Sequence, residues 1–511
     1  MKKIIRIRYV TILLLICVLA YIFFVNGCAI DPKLQEEYTR DSLSSGIQTV
    51  FDGYRQSIPE IMTKHKIPGL SIAVVDHEGI LWTAGFGYTD KDKKTPVTPE
   101  TIFSIQSMSK TFTATAVMFA VQDGLVELDI PITKYLPDFT VNSRYEDDPQ
   151  DKMTLRHLLT HTAGFTHEAP IGNNVDARSP SYEDHVKSIS DTWLKYRVGE
   201  RNSYSNLGID LAAYILQVRS GKPINQYMKE KIFDSLDMPN SSVDMEFIKR
   251  HPNRAIGHQN HFKELPLVPM LGAGGVYTNA NELAKFIQFH INWGNVNDQL
   301  LLNANLLYEM YTPSPTNKGY GLGIGIGEKD GVYFLGHGGG GFGFLTTMTW
   351  LPEYQIGALV LTNSADHPNK HQKLMKNLIL RLVDNKLVQK SKPHENPPWK
   401  AVAADNSKSP AYQRPHPDNF TRYQPDWKKY TGTYRYIRGG RKLRAYASIA
   451  LALGYPDPDS EVKVYEKNGF LEINGERLDE HLPGLFFANE GECLDFRGSV
   501  PTWRNFKLKK K

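Results

Sequence analysis

The sequence predicts an α/β protein of the α+β type, in which helices cover a central antiparallel sheet and a separate β-rich module follows. Short β-rich runs recur at residues 70–85 and 332–362 and are joined by tight turns, as in antiparallel sheets. Apolar residues repeat with helical spacing at 47–61 and 370–383, which provides helices to cover that sheet. A proline-rich stretch at 386–424 then precedes a tail of β-rich runs and Asn-Gly turns. With 511 residues, of which 41% are hydrophobic, the chain can bury more than one core.

The overall charge does not indicate a nucleic-acid partner. The formal net charge is +5, but four cations lie near the start of the chain, at Lys2, Lys3, Arg6 and Arg8. The rest of the sequence is nearly neutral, and the basic cluster at 507–511 is interpreted as a solvated chain end. Binding to nucleic acid requires a basic surface and is not predicted.

Residues 1–28 have the pattern of an export signal. A charged start is followed by an apolar run at 9–25 and then by Asn26, Gly27 and Cys28, which is similar to a lipoprotein cleavage box. Cys28 is therefore the candidate lipidation site, and the alternative is that the apolar run stays as an uncleaved membrane anchor. Either outcome places the body of the protein in the cell envelope, outside the cytoplasmic membrane. No internal disulfide is expected, because a single cysteine follows this segment.

The folded part is predicted to begin with an amphipathic helix, which Pro59 is expected to kink or divide. The apolar face of this helix consists of Ile47, Phe51, Tyr54, Ile58 and Ile61. A β-hairpin follows at 70–85, with its turn at 76–79. A helix at 108–123 and a shorter one after Thr154 come next.

Ser107 and Lys110 stand three residues apart where an extended segment turns into a helix. Residues at i and i+3 share a helix face with Cβ atoms about 5 to 6 Å apart, so the Lys110 amine can reach the Ser107 hydroxyl. A neighbouring base activates serine as a nucleophile, and a helix N-terminus favours the negative charge of an oxyanion. Because Ser-x-x-Lys is a short pattern, an ordinary helix start remains the alternative for this motif alone.

Two later stretches also carry candidate site residues. Tyr204 and Asn206 precede an apolar helical stretch at 209–218 and can point into one cleft, a phenol to relay a proton and an amide to hold a substrate carbonyl. The alternative is a helix cap. The glycine-rich run 336–343 can let a ligand lie against strand backbone and offer an N–H to an oxyanion, or it can be a flexible turn. Upstream, residues 320–327 alternate with period two and are predicted to form a strand with one bare face.

Two further patterns are interpreted as structural. His157 and His161 are four residues apart, a spacing that suits zinc, but Leu158 occupies the position of the glutamate in a His-Glu-x-x-His site. Both histidines are therefore expected to bond nearby backbone, and no metal is predicted. Asn279 and Glu282 form a candidate capping box at a helix start.

In combination, Ser107-Met-Ser-Lys110, Tyr204-Ser-Asn206 and His337-Gly-Gly339 resemble the three active-site motifs of the serine β-lactamase and penicillin-binding protein family, in its class C-like branch. The resemblance covers about residues 46–385. It implies a three-layer fold, with a five-stranded antiparallel sheet flanked by helices and an inserted helical region.

The resemblance also implies roles for individual residues. Ser107 would be the acylated nucleophile, Lys110 the group that activates it, and Tyr204 the group that moves protons to and from it. Asn206 would hold the substrate amide. The backbone N–H groups of Ser107 and Gly340 would form the oxyanion hole.

The third motif departs from the commonest form of the family. His337 replaces a lysine and Gly338 a hydroxyl residue, while Gly339 is retained in the substrate-binding strand. Certain D-Ala-D-Ala peptidases and esterases of the family also have histidine there, so hydrolysis is still expected. Strong binding of a substrate carboxylate is less expected, and it should weaken as the pH rises through the ordinary histidine pKa of about 6.5.

The chain is expected to divide into a signal peptide or membrane anchor, a hydrolase domain, a proline-rich linker and a β-rich domain, at residues 1–28, 40–385, 386–424 and 425–511. The start of the last segment, Tyr430-Thr-Gly-Thr-Tyr434, resembles the small lipocalin-like barrels appended to this family. The catalytic stretches all precede the linker, so the two folded parts are predicted to be separable units.

The sequence therefore predicts an exported serine hydrolase that acts through an acyl-enzyme and needs no cofactor. Its substrate would be an amide or ester, either a β-lactam, a D-Ala-D-Ala-type peptide or a small ester, and an N-terminal anchor would hold it to the membrane. One alternative is a catalytically silent penicillin-binding or envelope receptor protein that uses the same cleft. A second is an α/β-hydrolase lipase, whose oxyanion loop resembles residues 337–340, but the sequence has no Gly-x-Ser-x-Gly elbow.

Overall fold

The computed structural model describes residues 32–90, 92, 95–174, 180–258, 269–367, 369–391, 421–437 and 461–511. The predicted export segment with Cys28 lies outside these ranges, and so does most of the predicted linker. Among the described residues, no helix combines the length and the apolar character needed to cross a bilayer.

A single antiparallel sheet organises the larger part of the chain. Its strands are β1 (Leu34–Thr39), β2 (Gly69–Asp76), β3 (Gly79–Asp90), β4 (Thr95–Pro96), β5 (Gly325–Lys329), β6 (Val332–Gly341), β7 (Phe344–Leu351) and β8 (Ile356–Thr362). Their order is β1-β3-β2-β8-β7-β6-β5, with β4 beside β3. The expectation of five strands was too low, because β1 and β5 extend the sheet at its two edges and β4 adds to β3.

Helices cover both faces of this sheet, which confirms the three-layer arrangement. In chain order they are α1 (Ser45–His65), α2 (Ser109–Gln122), α3 (Leu155–Leu159), α4 (Tyr182–Lys187), α5 (Asn206–Ser220), α6 (Ile224–Met228), α7 (Met245–Arg250), α8 (Leu271–Gly274), α9 (Ala280–Ile291), α10 (Ala304–Met310) and α11 (Lys370–Asp384). One hydrophobic core lies between the sheet and the pair α1 and α11. A larger core lies on the opposite face, where α2, α5 and α9 pack.

The first helix shows how packing overrides a local signal. Ser44 caps α1, and the buried side chains include the predicted Phe51, Tyr54 and Ile58. The sequence predicted that Pro59 would kink or divide this helix, and division does not occur, because α1 is continuous from Ser45 to His65. Buried residues lie on both sides of the proline, so both halves pack in the core between α1 and the sheet.

The hairpin of β2 and β3 forms where the sequence predicted it, with Asp76 opposite Gly79 at the turn. Strand β2 also pairs with β8, from Leu70 opposite Thr362 to Asp76 opposite Ile356. The N- and C-terminal parts of the domain therefore meet in the middle of the sheet.

Of the two glycine-rich segments, the first differs from its predicted form and the second forms a strand for most of its length. Residues 320–327 were predicted to be a strand, but β5 begins only at Gly325. The second run is a strand up to Gly341, followed by a tight turn in which Phe342 and Gly343 both have positive φ angles, of 48° and 84°. Gly343 adopts this left-handed backbone without strain. The turn therefore lies at the end of the glycine-rich run, after the strand.

The predicted capping box at Asn279 forms only in part. The Asn279 side chain accepts from the backbone N–H of Glu282 at 2.9 Å. The Glu282 carboxylate instead accepts from the Ser241 hydroxyl at 2.6 Å and from the side chain of Asn240 at 2.8 Å. The Glu282 carboxylate therefore connects α9 to the loop at residues 240–241 and does not complete the capping box.

The tail forms a closed eight-stranded barrel. Its strands are β9 (Gly432–Tyr436), β10 (Glu461–Lys467), β11 (Phe470–Ile473), β12 (Glu476–Leu482), β13 (Leu485–Ala488), β14 (Cys493–Asp495), β15 (Thr502–Trp503) and β16 (Phe506–Lys510), and β9 pairs with β16 to close it. The two Asn-Gly turns lie where they were predicted, at 468–469 and 474–475, with positive φ at all four residues.

Candidate active site

The turn before α2 presents the Ser107 hydroxyl. Gln106 has a φ angle of 52°, which is an uncommon conformation for a non-glycine residue. It turns the chain sharply away from the two-residue strand Phe103–Ser104, which pairs with Tyr277–Thr278. The hydroxyl of Ser109 stabilises this turn, because it donates to the Gln106 carbonyl at 2.6 Å and accepts from the N–H of Val276 at 3.0 Å. Between residues 101 and 120, Ser107 alone is not buried. The turn therefore exposes one hydroxyl on an otherwise buried element.

Lys110 lies directly behind Ser107 and is fully buried. Its Nζ is 3.2 Å from the Ser107 Oγ, as the spacing predicted. The same nitrogen lies 2.8 Å from the Asn206 Oδ1 and 2.9 Å from the carbonyl oxygen of Ala273. Three oxygen atoms thus surround the amine, and two of them are carbonyl groups that can only accept.

Asn206 is oriented by a buried carboxylate that the sequence did not single out. Its Nδ2 donates to Glu168 Oε1 at 3.1 Å, which turns the Oδ1 towards Lys110. The same Glu168 oxygen accepts from Asn174 at 2.7 Å and lies 2.8 Å from the His167 Nδ1. No fixed spacing connects Glu168 to the other site residues, so sequence reasoning had no signal for it.

The ring of Tyr204 lies in the same cluster. Its centroid is 5.0 Å from the Lys110 Nζ, 4.3 Å from the His161 ring and 6.4 Å from the His337 ring. Ser205, between Tyr204 and Asn206, caps α5. The structure therefore brings the residues of the first two motifs together. The helix cap that the sequence offered as an alternative is made by Ser205, and not by Tyr204 or Asn206.

The two histidines near α3 both bond backbone N–H groups, as expected. The Nδ1 of His157 accepts from the backbone N–H of Thr154 at 3.2 Å, which completes a capping box. The Nδ1 of His161 accepts from the N–H of Ser205 at 3.2 Å. Burial, together with the charge of Lys110, holds the pKa of His161 well below its usual value, so the ring is neutral beside the cluster. Among the described residues, no group of three or more His, Cys, Asp and Glu is arranged to hold a metal ion.

His337 is a neutral ring, which differs from the expectation of a histidine that titrates near pH 6.5. Burial and the nearby Lys110 lower its pKa to about 4. Its Nδ1 lies 2.6 Å from the Gly338 carbonyl and must donate to it, so Nε2 accepts the hydroxyl of Tyr320 at 2.8 Å. Contrary to the expectation from the sequence, we therefore expect carboxylate binding not to change with pH near neutrality. Tyr320 is a further site residue that the sequence reading missed.

The glycine strand β6 runs past the nucleophile turn. A Cβ atom at Gly339 would lie 2.0 Å from the carbonyl oxygen of Ile105, so only glycine allows this approach. The hydroxyl of Thr346, on the neighbouring strand, donates to the same carbonyl at 3.0 Å. Pairing between β5 and β6 stops where Gly325 lies opposite Gly336. Gly339 and Gly340, further along β6, are therefore not paired with β5. This part of β6 therefore lies against Ile105 and Gln106, the two residues that precede Ser107.

The barrel contacts the segment that carries Glu168. The Asn505 side chain donates to the Glu168 carbonyl oxygen at 2.8 Å, and the Thr166 hydroxyl donates to Glu492 at 3.0 Å. Glu492 also pairs with Lys195 at 2.7 Å. Burial opposes ionisation of Glu492, but Lys195 and Arg504 lower the pKa of its carboxyl, so it is charged at neutral pH. The barrel therefore holds both ends of the three-residue segment 166–168.

Comparison with known proteins identifies relatives over the larger domain. The sequence model of the family described as Beta-lactamase matches residues 54–382. "Protein flp" of Staphylococcus aureus strain COL is 24% identical over 331 residues, and "Unguisins hydrolase ungD'" of Aspergillus campestris is 26% identical over 353 residues. The matches cover 64% and 65% of this chain, respectively, and 65% of each relative, so they leave about a third of those proteins unmatched.

Two solved structures share the fold over a longer part of the chain. One is the octameric penicillin-binding protein homologue from Pyrococcus abyssi, with a TM-score of 0.56 at 22% identity over 90% of this chain and 99% of that one. The other is SurE in complex with D-Leu, with a TM-score of 0.57 at 20% identity over 91% of this chain and 100% of that one. At such low identity the likeness concerns the fold, and it extends beyond the residues of the family match.

Proposed function

The chain belongs to the β-lactamase family, and from this premise we propose that it is a serine hydrolase that forms an acyl-enzyme at Ser107. The observation that carries the proposal is the 3.2 Å contact between the Ser107 hydroxyl, which is accessible, and the Lys110 amine, which is buried. A serine held against a base in this way is the arrangement that nucleophilic catalysis requires.

In the proposed mechanism Lys110 gives up its proton before acylation and then acts as a base in the form of an uncharged amine. Such an amine has two N–H groups and one lone pair. The two carbonyl acceptors, on Asn206 and Ala273, take the two N–H groups at 2.8 and 2.9 Å. The lone pair is then directed at the remaining neighbour, the Ser107 hydroxyl. In the first step Ser107 Oγ attacks the acyl carbon while its proton moves to Nζ, which leaves a tetrahedral oxyanion.

The later steps involve Tyr204 and the backbone beside Ser107. We assign to Tyr204 the transfer of a proton to the leaving group as the tetrahedral intermediate collapses, and the removal of a proton from the water that then hydrolyses the acyl-enzyme. Its ring lies 5.0 Å from the Lys110 Nζ, so the two groups share one cleft. The N–H groups of Ser107 and Gly340 would stabilise the oxyanion.

The neutral state of His337 favours acyl donors without a carboxylate next to the reacting bond. A lysine in this position would give a fixed cation, whereas His337 has its Nδ1 bonded to the Gly338 carbonyl and its Nε2 bonded to Tyr320. Among the expected substrates, a small neutral ester therefore suits the cleft better than a β-lactam or a free D-Ala-D-Ala terminus, and we add an internal peptide amide as a candidate for the same reason. One relative is named as a hydrolase of unguisins, which supports hydrolysis as the class of reaction.

We further propose that the protein is exported and anchored to the membrane by its N-terminal segment, with lipid on Cys28 or with the apolar run 9–25 retained. The support is the sequence pattern alone. Globomycin, an inhibitor of the lipoprotein signal peptidase, would cause the precursor to accumulate if Cys28 is lipidated, and would have no effect if the run stays as an anchor.

Intact-mass spectrometry tests the acyl-enzyme. The purified protein is exposed to a fluorophosphonate, to a short-chain ester and to penicillin, and the modified peptide is then sequenced. We expect rapid modification of Ser107 by the fluorophosphonate, turnover of the ester and little trapping by penicillin. A protein that gains no mass with any probe would instead support the silent receptor that uses the same cleft.

A further inference from the structure

A cavity of about 300 Å³ lies between α11 and the strands β5, β6 and β7. Helix α11 covers the sheet face opposite α2, so this cavity lies on the other side of β6 from the nucleophile. Its volume is at the lower end of the range of small-molecule sites in proteins. Its wall is mainly apolar, with Thr347 and Thr349 as polar members, and its apolar side chains are those of Phe334, Leu351, Met375, Ile379 and Leu380.

Missing side chains on β6 leave this space open. Successive residues of a strand point to opposite faces, so Phe334, Gly336 and Gly338 share the face towards α11. Phe334 packs there, but the two glycines contribute no side chain. A Cβ atom at Gly338 would have a single close contact, the Gln372 side chain at 2.8 Å. The space is open to solvent on one side, and its mainly apolar wall suits a ligand with an apolar part.

The mouth of the cavity is polar and cationic. Gln372 is exposed and Lys376 half-buried, one helical turn apart on α11, while Met375 and Ile379 on the same helix are buried in the interior. The Lys376 Nζ lies 4.0 Å from the centre of the Phe334 ring.

Lys376 has no carboxylate partner for its charge. It forms no salt bridge with any carboxylate in the described part of the chain. Burial and the neighbouring Lys329 lower its pKa, although Asp330 opposes them. A bound anion would relieve this unfavourable environment.

We propose that this cavity is a binding site for a single-chain carboxylate amphiphile of the fatty-acid type. The apolar chain would occupy the space beneath Met375 and Ile379, and the carboxylate would bond Lys376 and Gln372 at the mouth. This assignment rests on the match between an apolar interior and a single cationic edge, and it does not depend on the proposed hydrolase activity. An occupant would contact the backbone of Gly336 and Gly338, directly behind the strand that carries His337.

Isothermal titration of the full-length protein with decanoate, below its micelle concentration, tests the site. We expect saturable binding of one ligand per chain. Affinity should rise about fourfold for each methylene from octanoate to decanoate, because each buried methylene contributes a constant free energy. 1-Decanol, which has the chain without the charge, should bind at least about tenfold more weakly.

Variants of α11 locate the ligand. Lys376→Gln should weaken decanoate binding about tenfold and Lys376→Arg should restore it. Lys373→Gln removes the same charge from an exposed position on the same helix and should change the affinity less than about twofold. Met375→Trp should fill the cavity and abolish binding, and Leu380→Phe serves the same purpose if the first variant does not fold.

Binding of decanoate to protein modified at Ser107 distinguishes this site from the catalytic cleft. Decanoate should bind equally well before and after treatment with fluorophosphonate. Three results would each overturn the proposal: no saturable binding, equal affinities in Lys376→Gln and Lys373→Gln, or loss of binding once Ser107 is modified. The last would place the amphiphile in the cleft.

Discussion

Ser107 and Ser109 lie two residues apart, yet their surroundings give them opposite roles. Ser109 is fully buried, and its hydroxyl is occupied by Gln106 and Val276, whereas Ser107 is accessible and contacts the Lys110 amine. We expect Ser107→Ala to abolish covalent labelling by fluorophosphonate and to lower kcat by about 10⁴- to 10⁶-fold.

The matched variant Ser109→Ala should retain labelling at Ser107. It removes the bonds that hold the nucleophile turn, so a lower melting temperature and a slower rate are expected, with the same modified peptide. Normal labelling of Ser107→Ala, measured by intact mass, would show that another residue is the nucleophile.

The pKa of His337 determines how substrate binding responds to pH. Since burial and Lys110 lower this pKa to about 4, the ring carries no charge between pH 6 and 8. KM for a substrate with a carboxylate should therefore be constant across that range and should fall only as the pH approaches 4 and the ring gains a proton. A neutral ester of the same acid should show no such fall.

Tyr320→Phe provides the control for this pH response. The Tyr320 hydroxyl donates to a ring nitrogen that can accept only while it is unprotonated. Its loss destabilises the neutral ring, so the pKa of His337 should rise and the pH dependence of KM should move towards neutrality. If KM of the unmodified protein already changed between pH 6 and 7, His337 would not be the neutral group described above.

At the scale of elements, the distance between β6 and the nucleophile turn depends on one glycine. A Cβ atom at Gly339 would meet the Ile105 backbone at 2.0 Å, whereas one at Gly338 would meet only the flexible Gln372 side chain at 2.8 Å. Gly339→Ala should push the strand away from Ser107. A displacement of about 1 Å at a reacting centre costs about a hundredfold in rate.

Gly338→Ala is the control, because it adds the same methyl group to the neighbouring position of the same strand. It should lower the labelling rate of Ser107 by less than about tenfold. Stopped-flow labelling with a fluorophosphonate measures both variants, and similar rates for the two would show that the approach of β6 to Ile105 does not position the nucleophile.

Local signals in the sequence predicted the elements whose geometry is determined within a few residues. The two Asn-Gly turns of the barrel formed as expected, because both positions require a left-handed backbone. Ser107 and Lys110 met because three residues along a helical turn place them together. Pro59 was misleading, since packing against the sheet keeps α1 continuous despite the missing backbone donor.

The site residues that the sequence reading missed are those brought in by distant contacts. Glu168 and Tyr320 have no constant spacing from the three motifs, and only the folded chain shows that they bond Asn206 and His337. The lowered pKa of His337 has the same origin, since burial and a lysine from another element cause it. Motif matching therefore located the reacting groups but not the groups that set their orientation and charge.

At the scale of the whole molecule, the barrel is connected to the catalytic groups by a short series of hydrogen bonds. Asn505 donates to the Glu168 carbonyl at 2.8 Å, the Glu168 carboxylate accepts from Asn206 at 3.1 Å, and Asn206 accepts from Lys110 at 2.8 Å. The sequence predicted that the two folded parts are separable units and gave no sign of this connection, because contacts between domains leave no periodic pattern in sequence. We expect the barrel to influence the rate of acylation.

Asn505→Gly tests this influence in the full-length protein. Asn505 has a φ angle of 67°, which glycine adopts without strain, so the substitution removes the side-chain amide and preserves the turn. The substitution removes the bond to the Glu168 carbonyl and a longer one, of 3.3 Å, to the Thr192 hydroxyl. Loss of the bond to Glu168, worth about 1 kcal/mol, should slow the labelling of Ser107 about fivefold. Asn468→Gly makes the same change at another turn of the barrel, where φ is 54°, and should alter the rate less than about twofold. Melting temperatures of the two variants should be similar, so a difference in labelling rate reports positioning rather than stability. Equal rates in both variants would mean that the barrel is attached to the catalytic domain without orienting its active site.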